Sequence, residues 1–247
     1  MVPAPARDPL TLAVPVNVSS LARGAPARPE SGRASSRAPG RVGAAPGTPG
    51  GGGAGAGARP WVLAVLLLAG LWLTQPFRIP SGSMRETLLP GDYVLVQKLE
   101  YGPAVPWTGW RLPALRPPRR GDIVVFRNPR DRGEDFVKRC IAVGGETVEI
   151  RDKRVLVNGD TLAEPYVIHT DPATRPGGYD YRDNFGPLTV AAGQVFVLGD
   201  NRDDSDDSRY WGPVPVGDVA GRPMFVYWSW DEASGGPRWG RILRRVR

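Results

Sequence analysis

From Trp61 to Leu73 the chain carries neither a charge nor a polar side chain, and only Thr74 and Gln75 interrupt the apolar run before Phe77. A run with no polar face predicts a transmembrane helix over 61–77 rather than an amphipathic core helix. Seventeen residues rise roughly 25 Å as a helix, the short end of what a bilayer core needs. Trp61 and Trp72 suit its interfacial ends. A cleaved leader would have a short basic segment ahead and a small-residue site behind. Here about 60 residues precede the run and no Ala-x-Ala follows it.

After residue 78 the pattern changes to short apolar runs separated by turn residues. They are Tyr93–Val96, Ile123–Phe126, Phe136-Val137, Cys140–Val143, Thr147–Ile150, Val155–Val157, Val195–Leu198 and Met224–Trp228. Asn158-Gly159, between Val157 and Thr161-Leu162, is a hairpin turn pair. No long helical period follows residue 78, so the body at 78–247 is expected to be mainly β, barrel- or sandwich-like. Stretches near 102–120 and 171–187, rich in Pro, Gly and Arg, read as surface loops. Residues 1–60 are built from Ala, Pro, Gly, Arg and Ser, show no apolar period, and are expected to be a disordered tail.

Charge sharpens this division. The 247 residues carry a formal +7, of which residues 1–59 supply +5 from seven Arg against Asp8 and Glu30. The body is left near neutral, which argues against a nucleic-acid-binding domain. Arg59 and the basic tail beside the apolar run place the N-terminus in the cytoplasm and the body on the far side. With one cysteine, Cys140, and one histidine, His169, no intrachain disulfide and no Cys- or His-rich metal site is available. No cofactor is implied.

Three segments carry candidate chemistry. Ser81-Gly82-Ser83 is small and flexible, able to expose a hydroxyl and a backbone N–H. Lys138 interrupts an apolar strand between Phe136-Val137 and Cys140-Ile141. It is either a lysine at a strand edge facing water or one held in apolar surroundings, where burial lowers the pKa. A serine needs a neighbouring base to become a nucleophile, and at the reference pKa of about 10.4 fewer than about one lysine in a thousand is neutral at pH 7. The acidic run Asp203–Asp207 fails as an EF-hand loop, since its sixth and twelfth positions hold Ser208 and Val214. Asp207 and Arg209 are close enough in sequence to pair with each other, or with Arg139.

Together these segments form an ordered set. Pro80–Met84 with Thr87-Leu88 and Gly91-Asp92, then Arg120–Phe126, then Lys138-Arg139, then Gly199–Ser205, Asp207–Arg209 and Gly212 resemble the boxes of type I signal peptidases. The likeness covers 61 to about 230 and leaves the tail outside. It implies a signal-peptidase-like β body after one N-terminal transmembrane helix: a membrane-anchored Ser-Lys endopeptidase of the bacterial inner membrane. Such an enzyme removes signal peptides from preproteins after Ala-x-Ala, through an acyl-enzyme and without a metal. Carried over to this sequence, Ser83 is the nucleophile and Lys138 the general base. Ser81 and the Ser83 N–H form the oxyanion hole, and Ser205 orients the lysine. Arg139, Asp200, Asp207 and Arg209 form a supporting network. Ile79, Met84, Leu88, Phe136 and Val137 wall the pockets for small side chains.

Glu86 stands where the family commonly has proline, so it must point away from the lysine. Gly144-Gly145-Glu146 replaces the usual Pro-Gly-Asp. The short stretch from Lys138 to Gly199 predicts that 144–190 is a reduced insertion of one hairpin and a loop. Three other readings compete: an exported single-span β domain used for binding, a cytosolic self-cleaving Ser-Lys repressor, and a hydrolase built on His169. The second lacks a helical DNA-binding domain, and the third rests on a histidine in an apparent loop.

Overall fold

The computed structural model describes residues 60–105, 107–178 and 180–247; the expected tail, but for Pro60, lies outside them. Helix α1 runs Pro60–Leu73, about 21 Å of rise. Among the described residues no helix is long and apolar enough to cross a membrane. The expected span of 61–77 is therefore corrected at its C-terminal end, because Thr74–Arg78 is a strand, β1. Pro76 explains the exit: it lacks an N–H, and it disfavours helical backbone at Gln75. The Thr74 hydroxyl donates back to Gly70 O at 2.9 Å, and Lys98 N donates to Leu73 O at 2.8 Å, fixing the junction.

The body that follows is mainly β. After β1 come β2 (Asp92–Gln97), β3 (Ile123–Arg127), β4 (Asp135–Val143), β5 (Thr147–Arg151), β6 (Arg154–Val157), β7 (Asp160–Thr161) and β8 (Phe185–Thr189). Then come β9 (Gln194–Leu198), the one-turn helix α2 (Ser208–Trp211), β10 (Val214–Pro215), β11 (Val219–Asp231) and β12 (Gly236–Pro237). The larger sheet is antiparallel in the order β1-β2-β11-β3-β4-β9-β10, with β12 on β11. As the edge strand, β1 tolerates its proline.

Apolar side chains fall on both faces of β3 and β4 because both faces are covered. Ile123, Val125 and Val137 face a core with Ile79, Met84, Leu88, Val94 and Val226. Val124, Phe126 and Cys140 face a second core with Val195, Val197, Val214 and Val219. A register shift between Cys140 and Ala142 interrupts the β4–β9 ladder, and consecutive Ile141 and Ala142 both enter a third core.

That third core belongs to a second sheet, β7-β6-β5-β8, and corrects the expectation of one hairpin and a loop over 144–190. Asn158-Gly159 does turn β6 into β7, both residues at positive φ, and Asp152-Lys153 turns β5 into β6 in the same way. The missed strand is β8, whose Gly186-Pro187 reads as loop; it lies at the edge of its sheet, where proline is permitted.

Candidate active site

The segment after β1 is held in the first core by three buried side chains, Ile79, Met84 and Leu88. Ile79 pairs with the start of β2, its N–H donating to Asp92 O at 2.8 Å. Leu88 N donates to Met84 O at 2.7 Å, and Arg85 N to Gly82 O at 3.0 Å, so the chain turns tightly about Ser83. From the other side, Asn201 N donates to Ser83 O at 3.0 Å and Asn201 Nδ2 to Gly82 O at 3.2 Å. Gly199 makes that approach possible: a Cβ there would lie 2.5 Å from Ser83 O and 2.3 Å from Ser205 Oγ. The Asn201 clamp is not legible in the sequence, because a contact to backbone leaves no mark in residue spacing.

Lys138 shares its strand face with Phe136 and Cys140. Strand β9 pairs β4 only from Arg139 onward, so the first residues of β4 have one free edge, and a cleft opens there. The Lys138 Nζ lies 2.6 Å from Ser83 Oγ and 5.5 Å from the Phe136 ring centroid. Lys138 is 4% exposed and Ser83 8%. Burial brings the lysine down to about 8, against the pull of Asp207, Asp206 and Asp200 toward the charged form; Arg209 acts with burial. At that value about one amine in ten is neutral at pH 7, against fewer than about one in a thousand for a free lysine. The Ser81 and Ser83 hydroxyls are 3.4 Å apart.

Two expectations are corrected. The Ser205 hydroxyl is buried and makes no hydrogen bond, so the expected Ser205–Lys138 bond is absent; the side chain packs on Gly199 instead. Leu88 is fully buried beneath the site and does not line the cleft, whereas Ile79, Met84, Phe136 and Val137 do. The cleft holds about 420 Å³, and four carboxylates line it: Asp204 and Asp206 of the acidic run, and Glu134 and Asp135, which the sequence does not single out.

The supporting charges form two separate forks rather than one network. Arg139 donates to Asp200 through Nε at 2.8 Å and Nη2 at 2.7 Å, and its guanidinium lies 3.8 Å from the Tyr166 ring centroid. Asp200 also accepts from the Thr87 hydroxyl at 2.5 Å, which ties the serine segment to the end of β9. Arg209 pairs with Asp207 through Nε and Nη2, both at 2.8 Å, and Asp207 caps Gly199 N at 3.1 Å. Both pairs are buried, where a charge is tolerated only with its partner.

The remaining candidates lie elsewhere. Glu86 is exposed and lines a different cleft. His169 Nδ1 sits 3.3 Å from Asp203 and does not line the serine cleft. Burial pushes the Cys140 thiol up to about 12, which makes it an inert core residue. Among the described residues no group of His, Cys and carboxylates is arranged to hold a metal ion.

The family model "Signal peptidase, peptidase S26" matches residues 58–228. Signal peptidase I of Pseudomonas fluorescens is 34% identical over 201 residues, covering 69% of this chain and 70% of its own length; that of Pseudomonas aeruginosa gives the same figures. Signal peptidase I of Leptolyngbya laminosa is 38% identical over 176 residues, covering 67% of this chain and 75% of its own. A solved signal peptidase I from Enterococcus faecalis aligns with 44% of this chain and 98% of its own, at 39% identity and a TM-score of 0.37. The chain belongs to the signal peptidase family, peptidase S26, and is a hydrolase.

Proposed function

We propose that this hydrolase cleaves signal peptides from exported preproteins with a Ser83–Lys138 dyad, cutting after small residues in Ala-x-Ala. The reading rests on one observation above all: a buried amine 2.6 Å from a serine oxygen, on the floor of an open cleft.

In the mechanism, neutral Lys138 takes the Ser83 proton as Oγ bonds to the scissile carbonyl carbon. The oxyanion accepts hydrogen bonds from the Ser83 N–H and the Ser81 hydroxyl. As the C–N bond breaks, the Lys138 ammonium gives its proton to the leaving amine, and Ser83 carries the acyl group. Water then attacks the ester, Lys138 takes its proton, and collapse returns the proton to Ser83 Oγ. Each half-reaction begins and ends with an uncharged amine, so the depressed pKa sets the working pH.

Ile79, Met84, Phe136 and Val137 give the cleft apolar walls for small side chains. The free edge of β4 before Arg139 offers main-chain partners to an extended peptide. The apolar helix ends at Leu73, ten residues from Ser83, at most roughly 35 Å of chain. With the apolar helix Pro60–Leu73 as single-pass anchor in the bacterial inner membrane and the tail in the cytoplasm, the serine lies near the outer bilayer surface, where a signal peptide presents its cleavage site.

The test is turnover of an Ala-x-Ala preprotein in detergent. Wild type should cleave it, and Ser83→Ala and Lys138→Ala should each lose cleavage while remaining folded. Equal cleavage by wild type and Ser83→Ala would remove the reading.

A further inference from the structure

A second cleft, of about 640 Å³, opens beside the serine segment. Arg244, Arg245 and Arg247 line it together with Glu86, Thr87, Pro165 and Tyr166. Two of the lining groups are already engaged: the Thr87 hydroxyl donates to Asp200 and the Tyr166 hydroxyl to Glu164 at 3.1 Å. Glu86 is the one acidic side chain on the wall, the Arg247 main-chain oxygen accepts from Arg139 Nη2 at 3.3 Å, and among the described residues none of the three guanidiniums has a carboxylate within 4.0 Å. Uncompensated arginines converging on one cleft present planar donor forks that match phosphate oxygens.

We propose that this cleft binds the phosphate of anionic phospholipid headgroups through Arg244, Arg245 and Arg247. The arginines are presented on a fixed turn: Leu243 N donates to Val226 O at 2.7 Å and Val246 N to Met224 O at 3.0 Å, so the chain end is laid along β11. The same turn exposes Leu243 (74%) and Trp239 (72%). Apolar side chains standing beside arginines suit the boundary between headgroups and acyl chains, and this favours a lipid over free phosphate. The tail of this chain is no alternative occupant, because residues 1–59 carry a net +5.

The test labels the turn in the full chain. Gly240 has no positive φ, and a Cβ there meets nothing within 4 Å, so Gly240→Cys accepts an environment-sensitive fluorophore; the native Cys140 is buried. The labelled protein is reconstituted into phosphatidylcholine vesicles, and phosphatidylglycerol is added stepwise. The expected result is a blue shift that grows with phosphatidylglycerol and weakens with salt. In the Arg244→Gln/Arg245→Gln/Arg247→Gln variant the docked-to-free ratio should fall on the order of a hundredfold, from three arginines near an anionic surface. A shift independent of phosphatidylglycerol, or unchanged in the triple variant, overturns the proposal. So does an equal shift produced in detergent by inorganic phosphate alone, which would make the cleft a free-phosphate site. Incorporation into phosphatidylcholine vesicles reports the apolar segment separately, and cleavage is not read, so failure here leaves the peptidase reading standing.

Discussion

At the scale of single residues, Lys138 carries a cost that its chemistry explains. Its pKa falls from 10.5 to about 8 through burial, so the folded state is penalised by about 3 kcal/mol below pH 8. Between pH 8 and 10.5 the unfolded chain binds more protons than the folded one, and stability therefore rises with pH across that window. Lys138→Met should accordingly melt higher than wild type at pH 7, with the gap closing toward pH 10.5, while cleavage is lost. Thermal melts of both proteins across that range check it; a variant no more stable at pH 7 would contradict the burial argument. The presence of the lysine in an apolar strand was legible in the sequence, since Phe136-Val137 and Cys140-Ile141 bracket it. The direction of the Ser205 side chain was not, because it depends on the absence of a Cβ at Gly199 and on where two loops cross.

At the scale of elements, the site is a junction between the segment after β1, the start of β4 and the loop after β9. Three contacts hold that junction: Asn201 on the Ser83 backbone, Thr87 on Asp200, and Arg139 on Asp200. Gly199→Ala should force these loops apart, costing about 1–3 kcal/mol by overpacking and reducing kcat more than KM, as read by urea unfolding and peptide kinetics. Asp200→Ala leaves the Arg139 guanidinium buried and uncompensated, and should cost about 3–5 kcal/mol in the same unfolding experiment. Strand positions in the body were readable from apolar runs because β3 and β4 are covered on both faces. Two boundaries were not. Pro76 turns the end of the apolar run into an edge strand, and Gly186-Pro187 disguises β8; in each case sheet pairing overrides the local pattern.

At the scale of the molecule, the two sheets are joined by a shared core, since Ile141 and Ala142 of β4 and Phe196 and Leu198 of β9 pack with Val148, Ile150, Val155 and Val157 of the smaller sheet. The smaller sheet therefore lacks an interior independent of β4, which also carries Lys138. Phe196→Ala should cost about 3–5 kcal/mol and lower one cooperative melting transition that near-ultraviolet dichroism and cleavage follow together. Two separate transitions would show that the sheets fold apart.

The central claim, that a neutral amine beside Ser83 drives the reaction, is open to direct titration because the chain has only three lysines, Lys98, Lys138 and Lys153. In protein labelled with carbon-13 lysine, the Cε resonance absent from Lys138→Arg should titrate near 8 and match the acid limb of the kcat/KM profile for a signal-peptide substrate. A Lys138 resonance that titrates near the ordinary lysine value of 10.5, in a protein that still cleaves at neutral pH, would contradict the account.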